Sequence, residues 1–169
     1  MKLKTTFGLL FMLVIVMLMA QDPTVWPENG IPIRQGENIE WSRSAATLTN
    51  GNVVYVWSDT RLGDRDVWAQ CVDTNGNNLW NNGDPVIIDD KVNRQEDPVC
   101  INTTDGGAII AWVDFTHSDA GDIYAQKVDA NGGLLWIDGG IPLCLAPGIQ
   151  ISLNIVRDDN GGAYIIWID

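Results

Sequence analysis

The chain has 169 residues, 22 of them Asp or Glu and 10 of them Lys or Arg, which gives a formal net charge of −12. So large an acidic excess repels nucleic acid and anionic lipid surfaces, and we expect neither as a partner. The chain is also rich in glycine (17) and tryptophan (8), and its length is that of one ordinary domain.

The N-terminus has the pattern of a secretory signal peptide over residues 1–20. Lys2 and Lys4 precede an apolar run that ends at Ala20, a small residue suited to cleavage before Gln21. The alternative is an uncleaved membrane anchor, although the run is shorter than the roughly 20 apolar residues that a spanning helix needs. We therefore expect a secreted, periplasmic or bacterial cell-surface protein with no stable membrane span after cleavage.

The next segment, residues 21–39, contains a sequence that returns later in the chain. Trp26–Ile33 matches Trp136–Leu143 with Trp, Gly, Ile and Pro in register. Because the later copy falls in the fourth strand of the repeat described next, residues 21–39 are predicted to supply an N-terminal closing strand. Such a strand covers a sheet edge that would otherwise be exposed when a ring of sheets closes.

Copies of one sequence unit, about 55 residues long, make up the rest of the chain. Gly51–Asp59 recurs as Gly106–Asp114 and as Gly161–Asp169, while Asp66–Trp80 recurs as Asp122–Trp136. A match this dense predicts a repeat protein that stacks one kind of supersecondary unit.

Each unit is predicted to form four short strands separated by glycine-containing turns. The second strand of each unit is apolar on both faces, which is typical of a sheet buried on both sides. No segment beyond the leader has helical periodicity. In the second copy the strands are predicted at Pro98–Thr103, Ala108–Val113, Asp122–Asp129 and Leu134–Trp136, the last continuing through Ile141–Leu145.

Four-stranded antiparallel sheets that repeat and are buried on both faces are typical of β-propeller blades. We predict an all-β, truncated β-propeller with blade 1 at residues 40–95, blade 2 at 96–148 and an incomplete blade 3 at 149–169. A closed ring takes at least about four blades. We therefore expect missing C-terminal blades of the same chain as partners of this fragment, with self-assembly of short chains as the alternative.

Two stretches of the form Ala-Gln-Xaa-Val-Asp-Xaa-Asn-Gly-Xaa-Xaa-Leu-Trp, at Ala69–Trp80 and Ala125–Trp136, resemble the tryptophan-docking motif of quinoprotein-type propellers. The unit here is longer than in that family, and no quinone site is recognisable. The repeats are more similar to the β-propeller-type repeats of large secreted or surface proteins of Bacteroidetes-like bacteria, which carry Gly-Gly-apolar-Trp-Xaa-Asp and then Asp-Ile-Tyr-Ala-Gln. The resemblance implies that Trp80 and Trp136 pack between neighbouring blades, and it implies no particular function.

Seven aromatic or amide side chains repeat with the unit, and we interpret them as structural. A buried indole contributes a large apolar area, and a buried amide must satisfy both its donor and its acceptor, so we expect the glutamines to hydrogen-bond from blade to blade. The seven residues are Trp57, Trp80, Trp112, Trp136, Trp167, Gln70 and Gln126.

The three cysteines, Cys71, Cys100 and Cys144, match no metal-binding spacing. An odd number leaves at least one thiol unpaired in an oxidising compartment. We interpret them as small hydrophobic residues on strands. The alternative is that two of them form one disulfide.

Polar side chains cluster in the loops that join the second and third strands of each unit, and in a propeller these loops gather on one face around the central channel. One interpretation is that the aspartates cap strand ends and turns. The functional interpretation is a ring of groups that bind Ca²⁺ or hydrogen-bond to sugar hydroxyls, with no resident cofactor. The candidate ligand-binding residues are Asp59, Arg61, Asp64, Asp114, His117 and Asp119.

Catalytic signals are weak, since a chain with one histidine disfavours a Ser-His-Asp or Cys-His site. We therefore predict a non-catalytic surface or extracellular binding or adhesion module whose partner is a glycan or an extracellular protein. The alternative is a fragment of a propeller-type carbohydrate-active enzyme, a glycosidase or lyase, that uses two carboxylates about 5–10 Å apart. A purely architectural role in a surface layer is a third option.

Overall fold

The computed structural model describes residues 40–169, so the predicted signal peptide and closing strand lie outside the described residues. Within this range, ten strands form three antiparallel sheets, and no helix is long and apolar enough to cross a membrane. The first sheet contains β1 (Glu40–Thr47), β2 (Val53–Asp59), β3 (Asp66–Val72) and β4 (Val86–Asp89), with one 3-10 turn at Asn81–Gly83. The second contains β5 (Gln95–Asn102), β6 (Ala108–Asp114), β7 (Asp122–Val128) and β8 (Ile141–Cys144). The third contains β9 (Ile151–Arg157) and β10 (Ala163–Ile168).

Both four-stranded sheets have the same order, in which each strand pairs with the next one along the chain. The cross-strand registers are equivalent as well: Trp57 stands opposite Trp68 in the first sheet, and Trp112 stands opposite Tyr124 in the second. The prediction of an all-β fold built from four-stranded antiparallel sheets is confirmed.

The start of the fourth strand was predicted wrongly. Leu134 makes a single bridge to Val128, and the strand proper begins only at Ile141. The reason is the side chain of Gln126, whose Oε1 accepts the Trp136 N–H at 2.9 Å and whose Nε2 donates to the Ile137 carbonyl at 2.9 Å. At Trp136 and Ile137 the Gln126 side chain therefore forms the hydrogen bonds that a neighbouring strand's backbone would form in a regular sheet.

Gln70 does the same in the first sheet. Its Oε1 accepts the Trp80 N–H (2.9 Å), and its Nε2 donates to the Asp84 carbonyl (2.8 Å). These hydrogen bonds run within one unit and not from blade to blade as expected, because the partners lie in the connection that leads from strand three to strand four.

The core lies between the first and second sheets. It joins Val54 and Val56 of the first sheet to Ile110 and Trp112 of the second, all fully buried. Every residue of β3 and of β6 is buried, as expected for sheets covered on both faces. The contacts between sheets are concentrated at the first strands, with β1 against β5 and β5 against β9.

Tryptophan side chains link successive units. The indole of Trp80 is 1% exposed, and its Nε1–H donates to the Ala130 carbonyl in the second sheet at 2.9 Å. Trp136, its counterpart, is half-buried and lines a cavity of about 510 Å³ together with Trp167 of the third sheet.

Candidate functional site

The six side chains predicted to bind a ligand lie at one end of the stacked sheets, where strand two of each unit ends and strand three begins. This loop end consists of residues 59–66, 89–96 and 114–122, together with Trp41 of β1, whose ring contacts Arg65. The loop segments of the first and second sheets are joined by a backbone hydrogen bond, in which the Gln95 N–H donates to the Arg65 carbonyl at 2.7 Å. Of the predicted side chains, Asp59 and Asp114 are buried, Arg61 is half-buried, and Asp64, His117 and Asp119 are exposed.

In the first unit, the buried Asp59 is neutralised by Arg61 from the loop that follows it. The Arg61 Nε–H donates to Asp59 Oδ1 (2.9 Å), and the Trp57 indole N–H donates to Oδ2 (2.8 Å). The guanidinium also lies 3.9 Å from the centroid of the Trp68 ring, in cation–π contact. Burial raises the pKa of Asp59, but the hydrogen bonds from Arg61 and Trp57 outweigh burial and bring the pKa below its usual value. Asp59 is therefore an ionised internal anchor of its loop.

In the second unit, a cation from a different segment takes the same place. Lys91, from the connection between β4 and β5, lies 4.1 Å from the centroid of Tyr124, the strand-three aromatic ring of this unit. Its Nζ donates to Oδ2 of Asp114 (3.1 Å) and to Oδ2 of Asp89 (3.0 Å). One ammonium thus serves two buried carboxylates.

The pKa values of the two carboxylates around Lys91 are shifted in opposite directions. Burial, helped by the charge of Asp114, raises the pKa of Asp89, and Lys91 offsets only part of this effect. Burial also acts on Asp114, but hydrogen bonds from Thr116 and Lys91 bring its pKa below the usual value. The Trp112 indole N–H donates to Asp89 Oδ2 at 3.0 Å. Because Asp89 belongs to the first sheet while Asp114 and Trp112 belong to the second, the cluster ties the two sheets together.

A second ion cluster at the loop end was not predicted from the sequence. Glu96 pairs with Arg65 and, at 3.2 Å, with the Nε of Arg94. Arg65 lies 4.0 Å from the centroid of the Trp41 ring, and Arg94 lies 3.8 Å from that of Phe115. Since Trp41 is 43% exposed, this cluster presents an indole and two guanidinium groups to solvent.

Asp66 is the buried acid at the start of β3, opposite Asp59 across the sheet, and it is 1% exposed. Burial, followed by the charges of Asp64, Asp90 and Asp59, raises its pKa to about 7. Its Oδ2 accepts no hydrogen bond from the described residues. The counterpart in the second unit, Asp122, also has a raised pKa, with burial as the main cause.

No group of three or more His, Cys, Asp or Glu side chains within residues 40–169 is arranged to hold a metal ion. The Ca²⁺ interpretation of the carboxylates therefore stays a prediction. Cys71, Cys100 and Cys144 are free thiols. Burial raises the pKa of Cys71 to about 11 and that of Cys100 to about 12, so these two thiols are poor nucleophiles.

The loop end has two layers of different chemistry. The inner layer consists of buried carboxylates and cations that neutralise one another and hold the loops in place. The outer layer offers hydrogen-bond donors and acceptors beside an aromatic ring, the groups that bind sugar hydroxyls or a polar protein surface. The outer layer consists of Trp41, Asp64, Arg65, Arg94, His117 and Asp119. Compared with known proteins, the chain matches no family model, no curated protein and no solved structure.

Proposed function

We propose that this protein is a secreted, non-catalytic β-propeller repeat protein that binds a glycan or an extracellular protein through the outer layer of its loop end. The main supporting observation is that this end combines exposed polar groups and an exposed indole with buried ion pairs beneath them. The N-terminal pattern of residues 1–20 supports export to the periplasm, the cell surface or the medium.

The propeller part of the proposal rests on how the sheets stack. Their contacts are concentrated at the first strands, β1 against β5 and β5 against β9. Sheets that are closest at their first strands fan out around a common axis, as blades do. In that arrangement the loop ends of successive blades gather around the axis.

A glycosidase or lyase is the second candidate function, and one observation favours it. A general acid needs a carboxyl group with a raised pKa, and the pKa of Asp66 is raised to about 7. However, Asp66 is 1% exposed, so a substrate would reach it only after the loop had moved. The exposed outer layer needs no such movement, and we therefore favour binding.

Screening of the full chain on an oligosaccharide array, followed by calorimetry with the strongest ligand, tests the proposal. Asp64→Ala and Asp119→Ala should each weaken binding at least about tenfold, equivalent to about 1.4 kcal/mol. The matched control is Asp159→Ala, because Asp159 is exposed in the β9–β10 turn at the opposite end of the sheets. The glycan form of the proposal would be contradicted if the chain bound no oligosaccharide. It would also be contradicted if Asp159→Ala weakened binding as much as Asp64→Ala and Asp119→Ala.

A further inference from the structure

The third sheet has an open edge along β10. Within residues 40–169 this strand pairs with β9 alone, whereas its counterparts β2 and β6 each lie between two strands. The residues of β10 alternate between half-buried and exposed, and the half-buried ones face the second sheet. A strand with an unpaired edge can accept a further strand through its backbone N–H and C=O groups.

The cavity of about 510 Å³ between the second and third sheets lies beside this edge. Both of its walls are largely apolar. The second sheet contributes Ile109, Ala125 and Leu143, and β10 contributes Ala163, Ile165 and Trp167. We call this cavity, together with the free edge of β10, the β10 groove.

The interface between the first and second sheets shows what occupies the same position one unit earlier. There β6, the counterpart of β10, is paired with β7. The ring of Tyr124 from β7 stacks on Trp112, with the centroids 6.4 Å apart, and Val128 stands opposite Ala108. Strand three therefore completes the burial of strand two. The inner residues of β6 are fully buried while those of β10 are half-buried: Ala108, Ile110 and Trp112 against Ala163, Ile165 and Trp167.

Strand three has a common pattern in both complete units. Asp66–Val72 and Asp122–Val128 each consist of Asp, an aliphatic residue, an aromatic residue, Ala, Gln, a variable residue and Val. Because side chains alternate along a strand, the aromatic residue, Gln and Val share one face. In β7 this face includes Tyr124 and Val128, which belong to the core between the sheets.

We propose that the β10 groove binds a partner polypeptide strand of this pattern by antiparallel β-strand addition. The aromatic residue of the partner strand stacks on Trp167, and its Val stands opposite Ala163, as in the pairing of β7 with β6. Backbone hydrogen bonds supply affinity in this mode of recognition, and side chains that enter pockets supply specificity. The groove is formed by strands and lies apart from the loop end, so the inference does not rest on the proposed function.

Calorimetric titration of the full chain with a capped synthetic peptide tests the proposal. The peptide has the sequence of Asp122–Val128, and we expect it to bind in the β10 groove. The peptide variant Tyr124→Ser should bind at least about tenfold more weakly, because it lacks the ring that stacks on Trp167. The peptide variant Ile123→Ser is the matched control: this residue is adjacent but on the opposite face of the strand, and its affinity should be little changed. Equal losses of affinity in the two peptides would overturn the proposal.

Two variants of the chain locate the binding site. Ile165 lines the groove and Ile166 is 58% exposed on the opposite face of β10. Ile165→Lys should abolish peptide binding because it places a charge in the cavity, whereas Ile166→Lys should leave binding unchanged. If both variants bind the peptide equally well, or if the parent chain does not bind it, the proposal is wrong. The proposal also fails if the chain forms dimers with which the peptide does not compete, since the occupant is then a second copy.

If Ile165→Lys does not fold, amide hydrogen exchange in the parent chain gives a second readout. The peptide should slow exchange in β10 and leave exchange unchanged in β4, which is the edge strand of the first sheet. Equal slowing in β10 and β4 would mean that the peptide adds to any sheet edge, and the specific groove would be disproved.

Discussion

Two cations of different origin reach equivalent places in successive units. Arg61 lies two residues after the strand-two aspartate that it neutralises, whereas Lys91 lies 23 residues before its own. The sequence repeat contains the aspartate and the strand-three aromatic ring but not the cation. For this reason the aspartates could be selected from the sequence while Lys91 and Asp89 could not. In both units a positive charge lies beside the strand-two aspartate, and a different loop supplies it in each.

Asp66 is a second single residue with a measurable effect, because it should make the stability of the chain depend on pH. Its pKa is about 7 in the folded chain and about 3.9 in an unfolded one. Between these values the folded state binds more protons, so the free energy of unfolding should fall as the pH rises from about 4 to about 7.

Asp66→Asn should remove the part of this dependence that comes from Asp66. Because one pKa unit corresponds to 1.36 kcal/mol, we expect the variant to be at least about 1 kcal/mol more stable than the parent near pH 8 and little changed near pH 4. Urea unfolding at both pH values measures the difference. Asp159→Asn, at an exposed site, is the control and should change neither value. If the free energy of unfolding changes between pH 4 and pH 8 by the same amount in Asp66→Asn as in the parent, the prediction is wrong.

At the scale of single elements, the sequence was most informative about strands two and three. Their continuous apolar runs and the flanking Gly turns predicted Ala108–Val113 and Asp122–Asp129 almost as observed. The fourth strand was predicted correctly where it continues, at Ile141–Leu145, and is observed at Ile141–Cys144. Only its start at Leu134–Trp136 was wrong, because a side chain takes the backbone partners there. Gln126 was recognised as a repeated, buried amide, but a sequence pattern does not indicate which carbonyl and which N–H such an amide binds.

Replacing one of these glutamines should loosen only its own unit. Gln70→Met removes the hydrogen bonds to the Trp80 N–H and the Asp84 carbonyl, and the buried Trp80 N–H is left without a partner at a cost of about 1–3 kcal/mol. Amide hydrogen exchange should therefore accelerate at Trp80 and stay unchanged at Trp136. The reciprocal variant Gln126→Met is the matched control and should reverse the pattern. Equal acceleration at both tryptophans in either variant would indicate that the glutamines act between units after all.

In the molecule as a whole, the third sheet differs from the other two in how much of its apolar surface is exposed. Its outward side chains Tyr164, Ile166 and Ile168 are 66%, 58% and 60% exposed. Their counterparts one unit earlier, Ile109, Ala111 and Val113, are at most 4% exposed. The repeat made three successive sheets predictable, since each copy has the same strand-two pattern. How successive sheets are placed relative to one another depends on the whole set of sheets and has no signature in any one unit.

The exposed face of β10 should make the 169-residue chain associate with itself. A contiguous apolar surface that is buried in the preceding sheet favours contact with a similar surface, and an uncovered sheet edge adds to this tendency. We expect size-exclusion chromatography with light scattering to show dimers or larger species whose share grows with protein concentration. Ile166→Lys should shift the population towards monomer. Ile149→Lys is the matched control, because Ile149 is 59% exposed, close to the 58% of Ile166, but lies in a connection outside the strands. A chain that stays monomeric at every concentration, or that responds equally to the two substitutions, would show that this face does not drive association.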